Sequence, residues 1–139
     1  MTKASEHAVV IGGTSGIGLA TARRLAEAGA TLAIVARDAE RLEAARVAIG
    51  GDVHVYPCDL GNPEACEALA KRVLADLGRV DVLINNAGRS IRRAIENSYH
   101  RFHDYERLMR VNYFGAVRLM LAILPSMAAR RAGHVVNIS

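Results

Sequence analysis

The stretch that most restricts this chain is Ala8-Val9-Val10-Ile11-Gly12-Gly13-Thr14-Ser15-Gly16-Ile17-Gly18. Four apolar residues in a row suit a strand buried on both faces of a parallel sheet. Gly12, Gly16 and Gly18 follow, and then a helical pattern of Leu19, Ala22, Leu25 and Ala26. A strand, a glycine-rich turn and a helix together make an anion site. N–H groups at the helix start point outward, and the helix dipole favours negative charge there. The glycines let the chain turn sharply and let a pyrophosphate approach the backbone without meeting a Cβ. Glycine turns serve many purposes. The strand before this one and the helix after it are what make it read as a nucleotide site.

Composition narrows the rest. A length of 139 residues suits one domain, taken as residues 1–139. Aromatics are 4% of the chain and Trp is absent, so the core must come from Ala, Val, Leu and Ile. The formal charge, 18 − 14 = +4, suits an anionic cofactor or substrate. Lys and Arg are spread along the chain, which argues against nucleic acid as a partner. Cys58 and Cys66 have no CxxC spacing and read as reduced thiols. The histidines lack metal spacing, so no metal site is expected. The polar opening from Met1 to His7 is not a signal peptide. The apolar stretch Tyr113 to Leu124 carries Arg118 and is too short to span a bilayer. A soluble, cytoplasmic protein with no membrane span is the expectation.

Along the chain, helical and strand patterns alternate. A first helix is predicted over 19–28, stopped by Gly29. Thr31 to Ala36 is a second strand, and Asp38 caps a helix over 39–48. Val53 to Tyr56 is a third strand, with Cys58-Asp59-Leu60 at its exit. Asn62 and Pro63 start a third helix, which Gly78 stops. Val80 to Ile84 is a fourth strand, ending in Asn85-Asn86-Ala87-Gly88. Residues 89–103 read as a polar loop with at most one helical turn. A long helix over 104–130 is expected to kink or divide at Pro125. His134 to Ile138 is a fifth strand. This alternation predicts a doubly wound parallel α/β sheet, a Rossmann fold of order 3-2-1-4-5.

In such a sheet ligands bind at the C-terminal strand ends. The polar residues there are Thr14, Ser15, Arg37, Asp59, Asn85, Asn86 and Ser139. Arg37 follows the second strand, where a carboxylate would select NAD. A guanidinium can instead pair with a 2′-phosphate, which points to NADP(H). The other reading makes Arg37 a solvated residue balanced by Asp38. Asp59 has two readings as well, an acceptor for an adenine amino group or a simple turn residue. Asn112 falls on the apolar side of the long helix, where a carboxamide needs partners. It reads as structural or functional.

Together these residues resemble the short-chain dehydrogenase/reductase family. Gly12-x-x-x-Gly16-Ile17-Gly18 is similar to its cofactor turn and Asp59 to its adenine-contacting acid. Asn85-Asn86-Ala87-Gly88 resembles its most specific local signature. Val111-Asn112-x-x-Gly115 looks like its helical asparagine, and Val135-Val136-Asn137-Ile138-Ser139 like the lead-in to its catalytic serine. The segment Ile95 to Arg107, running into Asn112-Tyr113-Phe114-Gly115, is similar to a narrower group, the bacterial long-chain fatty acyl-CoA reductases. Hydroxysteroid-type and 3-oxoacyl-carrier-protein reductases remain open.

The resemblance implies a nucleotide site of Gly12, Thr14, Ser15, Gly16, Ile17, Gly18, Arg37, Asp59, Leu60, Asn86, Ala87 and Gly88. It implies hydride transfer from NADPH to a carbonyl or acyl thioester, with Asn112 holding a water in the proton relay. Arg89, Arg92 and Arg93 have two readings, contacts to an anionic substrate such as a coenzyme A thioester, or a solvated face. A homo-oligomer is implied, although the stripe through Leu108, Leu119 and Ile123 is equally explained by burial on the sheet. Two departures stand out. Ile11 replaces the family's usual Thr, removing a hydroxyl that would tie the turn to the Asn-Asn-Ala-Gly segment. The catalytic serine would follow Ser139, and no Tyr-x-x-x-Lys pair is present. The expectation is therefore the N-terminal part of a longer protein, inactive by itself. The competing expectations are a silent nucleotide-binding module and, more remotely, a methyltransferase-like use of the turn.

Overall fold

Alternation of side chains along five short apolar strands sets the architecture. The computed structural model describes residues 6–139, so most of the polar opening read above lies outside the described residues. The strands are β1 (His7–Ile11), β2 (Thr31–Ala36), β3 (Val53–Pro57), β4 (Val82–Asn85) and β5 (His134–Asn137). They form one parallel sheet in the order β3-β2-β1-β4-β5, as the sequence predicts. Successive residues face opposite sides of a strand. Val9, Ile11, Ala33, Val35 and Leu83 pack on one face with α3 (Pro63–Leu77) and α5 (Gly115–Arg130). Ala8, Val10, Leu32, Ile34 and Ile84 pack on the other with α1 (Gly16–Glu27) and α2 (Ala39–Ile49). Each fully buried aliphatic side chain contributes about 1.5–3 kcal/mol. A core almost without aromatics is thus stabilised by many small groups on both sheet faces.

The helix start at Gly16 lies ahead of the predicted residue 19. Glycine is a poor helix former, but packing decides here, because Gly18 lies against Gly12 too closely for any side chain. The fourth strand begins at Val82 instead of Val80. Asp81 bonds through its N–H to His7 O at 2.8 Å and marks the entry to the sheet.

The long helix differs most from expectation. It runs unbroken from Phe102 to Arg130, 29 residues in all. Pro125 lies inside α5 and does not divide it. Leu121, whose carbonyl loses its partner to the proline, is 68% exposed, so solvent can satisfy that oxygen. The irregularity is elsewhere, in a π-helical turn over Arg110–Phe114 that joins α4 (Phe102–Met109) to α5. An extra residue in one turn re-aims the side chains around it. Length and hydropathy alone would let this helix cross a bilayer, contrary to the reading from Tyr113 to Leu124. Its inward stripe of Gly115, Leu119, Ile123 and Met127 is buried in the fold.

Candidate functional site

Strand register brings the exits level. Ile11 pairs with Val35 and Asn85, Asn85 with Asn137, and Ala36 with Pro57. A cleft of about 290 Å³ opens along this edge. Gly12, Thr14, Ser15, Arg37, Asp59, Leu60, Asn86, Ala87 and Gly88 line it, all of them picked out from the sequence. Val35, Ala36, Cys58, Arg89 and Val111 complete the wall. Gly16, Ile17 and Gly18 form the first turn of α1 behind Ser15. Asn85 is buried, and Ser139 is not part of the wall.

The turn is tied down from β4. Asn86 N–H donates to Ile11 O at 3.1 Å, and Asn86 Nδ2 donates to Gly12 O at 3.2 Å. These bonds tie the turn to β4 without a hydroxyl at position 11, where the Ile11 side chain is core. A Cβ on Gly12 would stand 3.0 Å from the Ala87 backbone, and one on Gly18 only 2.0 Å from Gly12 O. The close packing of three segments therefore requires these glycines.

A diphosphate fits the turn by its donor set. Ser15 is the N-cap of α1 but makes no side-chain cap bond. By contrast, Asp38 caps α2 through Glu40 N and Arg41 N, and Asn62 caps α3 through Ala65 N. The first N–H groups of α1 thus stay available to an anion. Nothing stands within 4 Å of the place a Cβ would take on Gly16.

Arg37 is exposed at the far end of the cleft. The Asp38 carboxylate faces α2, with Oδ1 accepting from Glu40 N at 2.9 Å and Arg41 N at 3.2 Å. Among the described residues it makes no ion pair with Arg37, so the reading in which Asp38 balances Arg37 has no contact behind it. Asp59 is a turn residue in part, since its Oδ1 accepts from Gly61 N at 2.9 Å. No protein group among the described residues takes its Oδ2.

Asn112 is not on an apolar side. It sits exposed in the π turn, and its carboxamide is engaged at both ends by the backbone of Arg89. Oδ1 accepts from Arg89 N at 2.8 Å and Nδ2 donates to Arg89 O at 2.7 Å. The extra residue of the π turn changes which way position 112 faces. A straight 3.6-residue helix could not be read to this position.

Residues 89–101 are a loop with one short turn, Ile95–Asn97, and the helix begins at Phe102, two residues ahead of the expected start. The anchor of the loop is Asp104, buried at 4% exposure, which the sequence reading did not single out. Asp104 accepts from Arg93 at 2.6 Å, Arg101 at 2.7 Å and Arg107 at 3.0 Å. Arg101 and Arg93 hold its carboxyl far below the usual carboxylate range. The spacing of Arg101 and Arg107, three residues either side of Asp104, was a readable signal. Arg93 is thereby committed to the fold, and Arg89 and Arg92 are left without a carboxylate partner among the described residues. No cluster of metal-ligating side chains occurs among them.

Residues 6–139 match the short chain dehydrogenase family. An uncharacterized oxidoreductase of Mycobacterium tuberculosis is 53% identical over 137 residues, covering 94% of this chain and 40% of the relative. A fatty acyl-CoA reductase of Acinetobacter baylyi is 51% identical over 135 residues, covering 95% of this chain and 46% of the relative. A metagenomic short-chain oxidoreductase crystallised with NADP superposes at TM-score 0.91 and 39% identity, covering 96% of this chain and 62% of that one. The chain spans less than half the length of these curated relatives. Sheet order, the glycine turn tied to the fourth strand, and the match along nearly every described residue lead to one assignment: this chain belongs to the short chain dehydrogenase family.

Proposed function

We propose that the full-length protein is an NADPH-dependent oxidoreductase acting on a carbonyl or acyl thioester, with a long-chain fatty acyl-CoA reduced to the aldehyde as the favoured substrate class. The observation that carries the cofactor choice is Arg37, which lines the cleft while its neighbour Asp38 is committed to α2. A guanidinium at the end of the second strand suits a 2′-phosphate, where a carboxylate would repel it. The NADP-bound structural neighbour is consistent with this reading. The substrate class rests on the 51% identical fatty acyl-CoA reductase.

In this proposal the amides of Thr14, Ser15, Gly16, Ile17 and Gly18 hold the diphosphate. Asp59, through Oδ2, and Leu60 hold the adenine end, while Asn86, Ala87 and Gly88 wall the path to the reacting end. The cofactor, when bound, supplies the hydride. Asn112 is a positioning residue, because its carboxamide fixes the chain just after Gly88 through Arg89. Arg89 and Arg92 are free to meet the phosphates of a coenzyme A thioester. A Tyr-x-x-x-Lys pair, the family's proton donor and its partner, does not occur in residues 1–139, so no residue here is given the proton-delivery role.

Association of copies is proposed through the outward face of the long helix. Phe102, Tyr105, Met109 and Phe114 there line an apolar hollow of about 670 Å³. Leu119 and Ile123 are buried against the sheet, so the expected stripe is not the contact face.

The test follows oxidation of NADPH and of NADH by the full-length protein with a long-chain acyl-CoA, together with aldehyde formed. Aldehyde made with NADPH in preference to NADH is the expected result. Turnover of 3-oxoacyl or steroid ketones alone would move the protein to another substrate class. Cofactor binding with no turnover of any of these would make it a silent module.

A further inference from the structure

The chain just after Gly88 is pinned at two points by the long helix. At the first, Asn112 engages the Arg89 backbone through both its N–H and its carbonyl. At the second, nearer the start of the helix, Asp104 Oδ2 accepts from Arg93 Nη1 at 2.6 Å. This bond is the one that joins loop to helix start, because Arg101 and Arg107, the other arginines on Asp104, lie three residues either side of it. The Asp104 side chain is buried and that of Arg93 partly so. A carboxylate out of water is costly unless charged donors surround it, and an apolar contact holds a loop without that cost. What the ionic contact adds is direction, since a guanidinium and a carboxylate meet in few geometries. Ile91 and Arg93 line a hollow of about 110 Å³ with Asp104 and Leu108, while Arg92 between them is exposed and outside it. Arg89 is part of the nucleotide cleft wall. Three residues of chain reach at most about 11 Å, so Arg92 stands close to the mouth of that cleft.

We propose that Asp104 is a positioning residue for substrate selection: through Arg93 it fixes Arg92 beside Arg89, and Arg92 then recognises the phosphates of a coenzyme A thioester. The inference rests on the acyl thioester reading above. Of the three arginines in this short stretch, Arg93 is used up by Asp104. Its neighbour Arg92 keeps a free guanidinium on a backbone that the Arg93 bond holds still. A long side chain on a fixed backbone loses less freedom on meeting a phosphate than one on a mobile loop. The phosphates of the coenzyme lie far from the thioester carbon. Their contact with Arg92 is therefore made equally in the ground state and the transition state, so it lowers KM and leaves kcat alone. The selection is for the whole coenzyme over a shorter thioester with the same acyl chain.

The experiment assays the full-length protein at saturating NADPH with a long-chain acyl-CoA and with the acyl-pantetheine thioester of the same chain, which carries no phosphate. Asp104→Asn should raise KM for the acyl-CoA about tenfold, as for one charged hydrogen bond lost. Its kcat, and its KM for the acyl-pantetheine, should stay at the wild-type values. Arg93→Ala should do the same, and because it leaves Asp104 with Arg101 and Arg107 it decides the matter if Asp104→Asn does not fold. Arg93→Lys, which restores a charged donor, should recover part of the loss. Arg92→Ala should carry the KM increase by itself, and Asp104→Asn or Arg93→Ala added to it should raise KM no further. An unchanged acyl-CoA KM in Arg93→Ala would overturn the proposal. So would an equal rise for the acyl-pantetheine, or an effect of full size in the Arg92→Ala background, either of which makes Asp104 a structural anchor only. A wild type with the same KM for both thioesters would overturn the phosphate contact while the acyl thioester reading stands. A wild type that reduces neither thioester would defeat that reading and this inference with it.

Discussion

The two edges of the sheet treat polar groups in opposite ways. Where the strands begin, polar groups satisfy one another. Asp81 accepts from His7 N–H at 2.8 Å, Arg79 Nε at 3.0 Å and Arg130 Nη1 at 3.1 Å. Arg130 Nη2 donates to Val80 O at 2.8 Å, and His134 N–H donates to Asp81 O at 2.8 Å. Where the strands end, α1 has no side-chain cap, and Arg37 has no carboxylate among the described residues. Folding pairs buried polar groups wherever it can. An edge whose donors are held rigidly and left open is an edge built to receive acceptors from outside.

The largest expected effect is at the turn that holds those donors. Gly18→Ala puts a Cβ 2.0 Å from Gly12 O and 2.6 Å from Asn86 Nδ2, and the backbone oxygen cannot give way. Overpacking of this kind costs about 1–3 kcal/mol of stability. Displacement of the amides should weaken NADPH binding by about a hundredfold. Calorimetric titration reads this directly, and wild-type affinity in Gly18→Ala would break the contrast between the edges.

Arg37→Glu should come next. Charged hydrogen bonds contribute about 1.5–3 kcal/mol, so the preference for NADPH over NADH should fall by about ten- to a hundredfold. The readout is the ratio of the two dissociation constants in one protein sample. An unchanged ratio returns Arg37 to the solvated surface.

At the closed edge the prediction concerns stability. Asp81→Ala leaves Arg79 and Arg130 without that carboxylate and should cost about 1–3 kcal/mol, with NADPH affinity of the folded protein unchanged. Burial raises the Asp81 pKa, but His7 N–H, Arg79 and Arg130 outweigh it, and the net direction is down. Its folded pKa thus lies below the unfolded value of about 3.9. The stabilisation is complete above the unfolded pKa and is lost as pH falls through the folded one. Melting curves of wild type and variant should keep a constant gap near neutrality and converge in acid. A gap that narrows toward alkaline pH would contradict the sign.

How much of this could be read beforehand depended on how local each cause is. The βαβ order came from apolar runs, Asn62-Pro63 and the helix-stopping glycines, all of which act within a few residues. The π turn has no such signature. It coincides with Gly115 pressed to within 2.7 Å of Leu60 O, measured from where its Cβ would be, and with Asn112 holding Arg89. Pro125 was the visible breaker, and it turned out to sit inside α5, with the exposed Leu121 four residues before it. Whether Arg37 was balanced by Asp38 depended on which way one carboxylate turned.

The smallest effects separate two kinds of helix start. Asp38 and Ser15 occupy the same N-cap position in successive helices, yet only Asp38 makes the cap. Asp38→Ala should therefore cost about 1 kcal/mol in chemical denaturation. Ser15→Ala should lie within about 0.5 kcal/mol of wild type when no nucleotide is present, as for a side chain that bonds nothing. Ser15→Ala also removes an uncommitted hydroxyl from the cleft wall, so with NADPH saturating the stabilisation by ligand should be smaller in the variant. Should Ser15→Ala lose as much as Asp38→Ala without nucleotide, Ser15 is closing α1 in solution. The N–H groups assigned to the diphosphate would then already be taken.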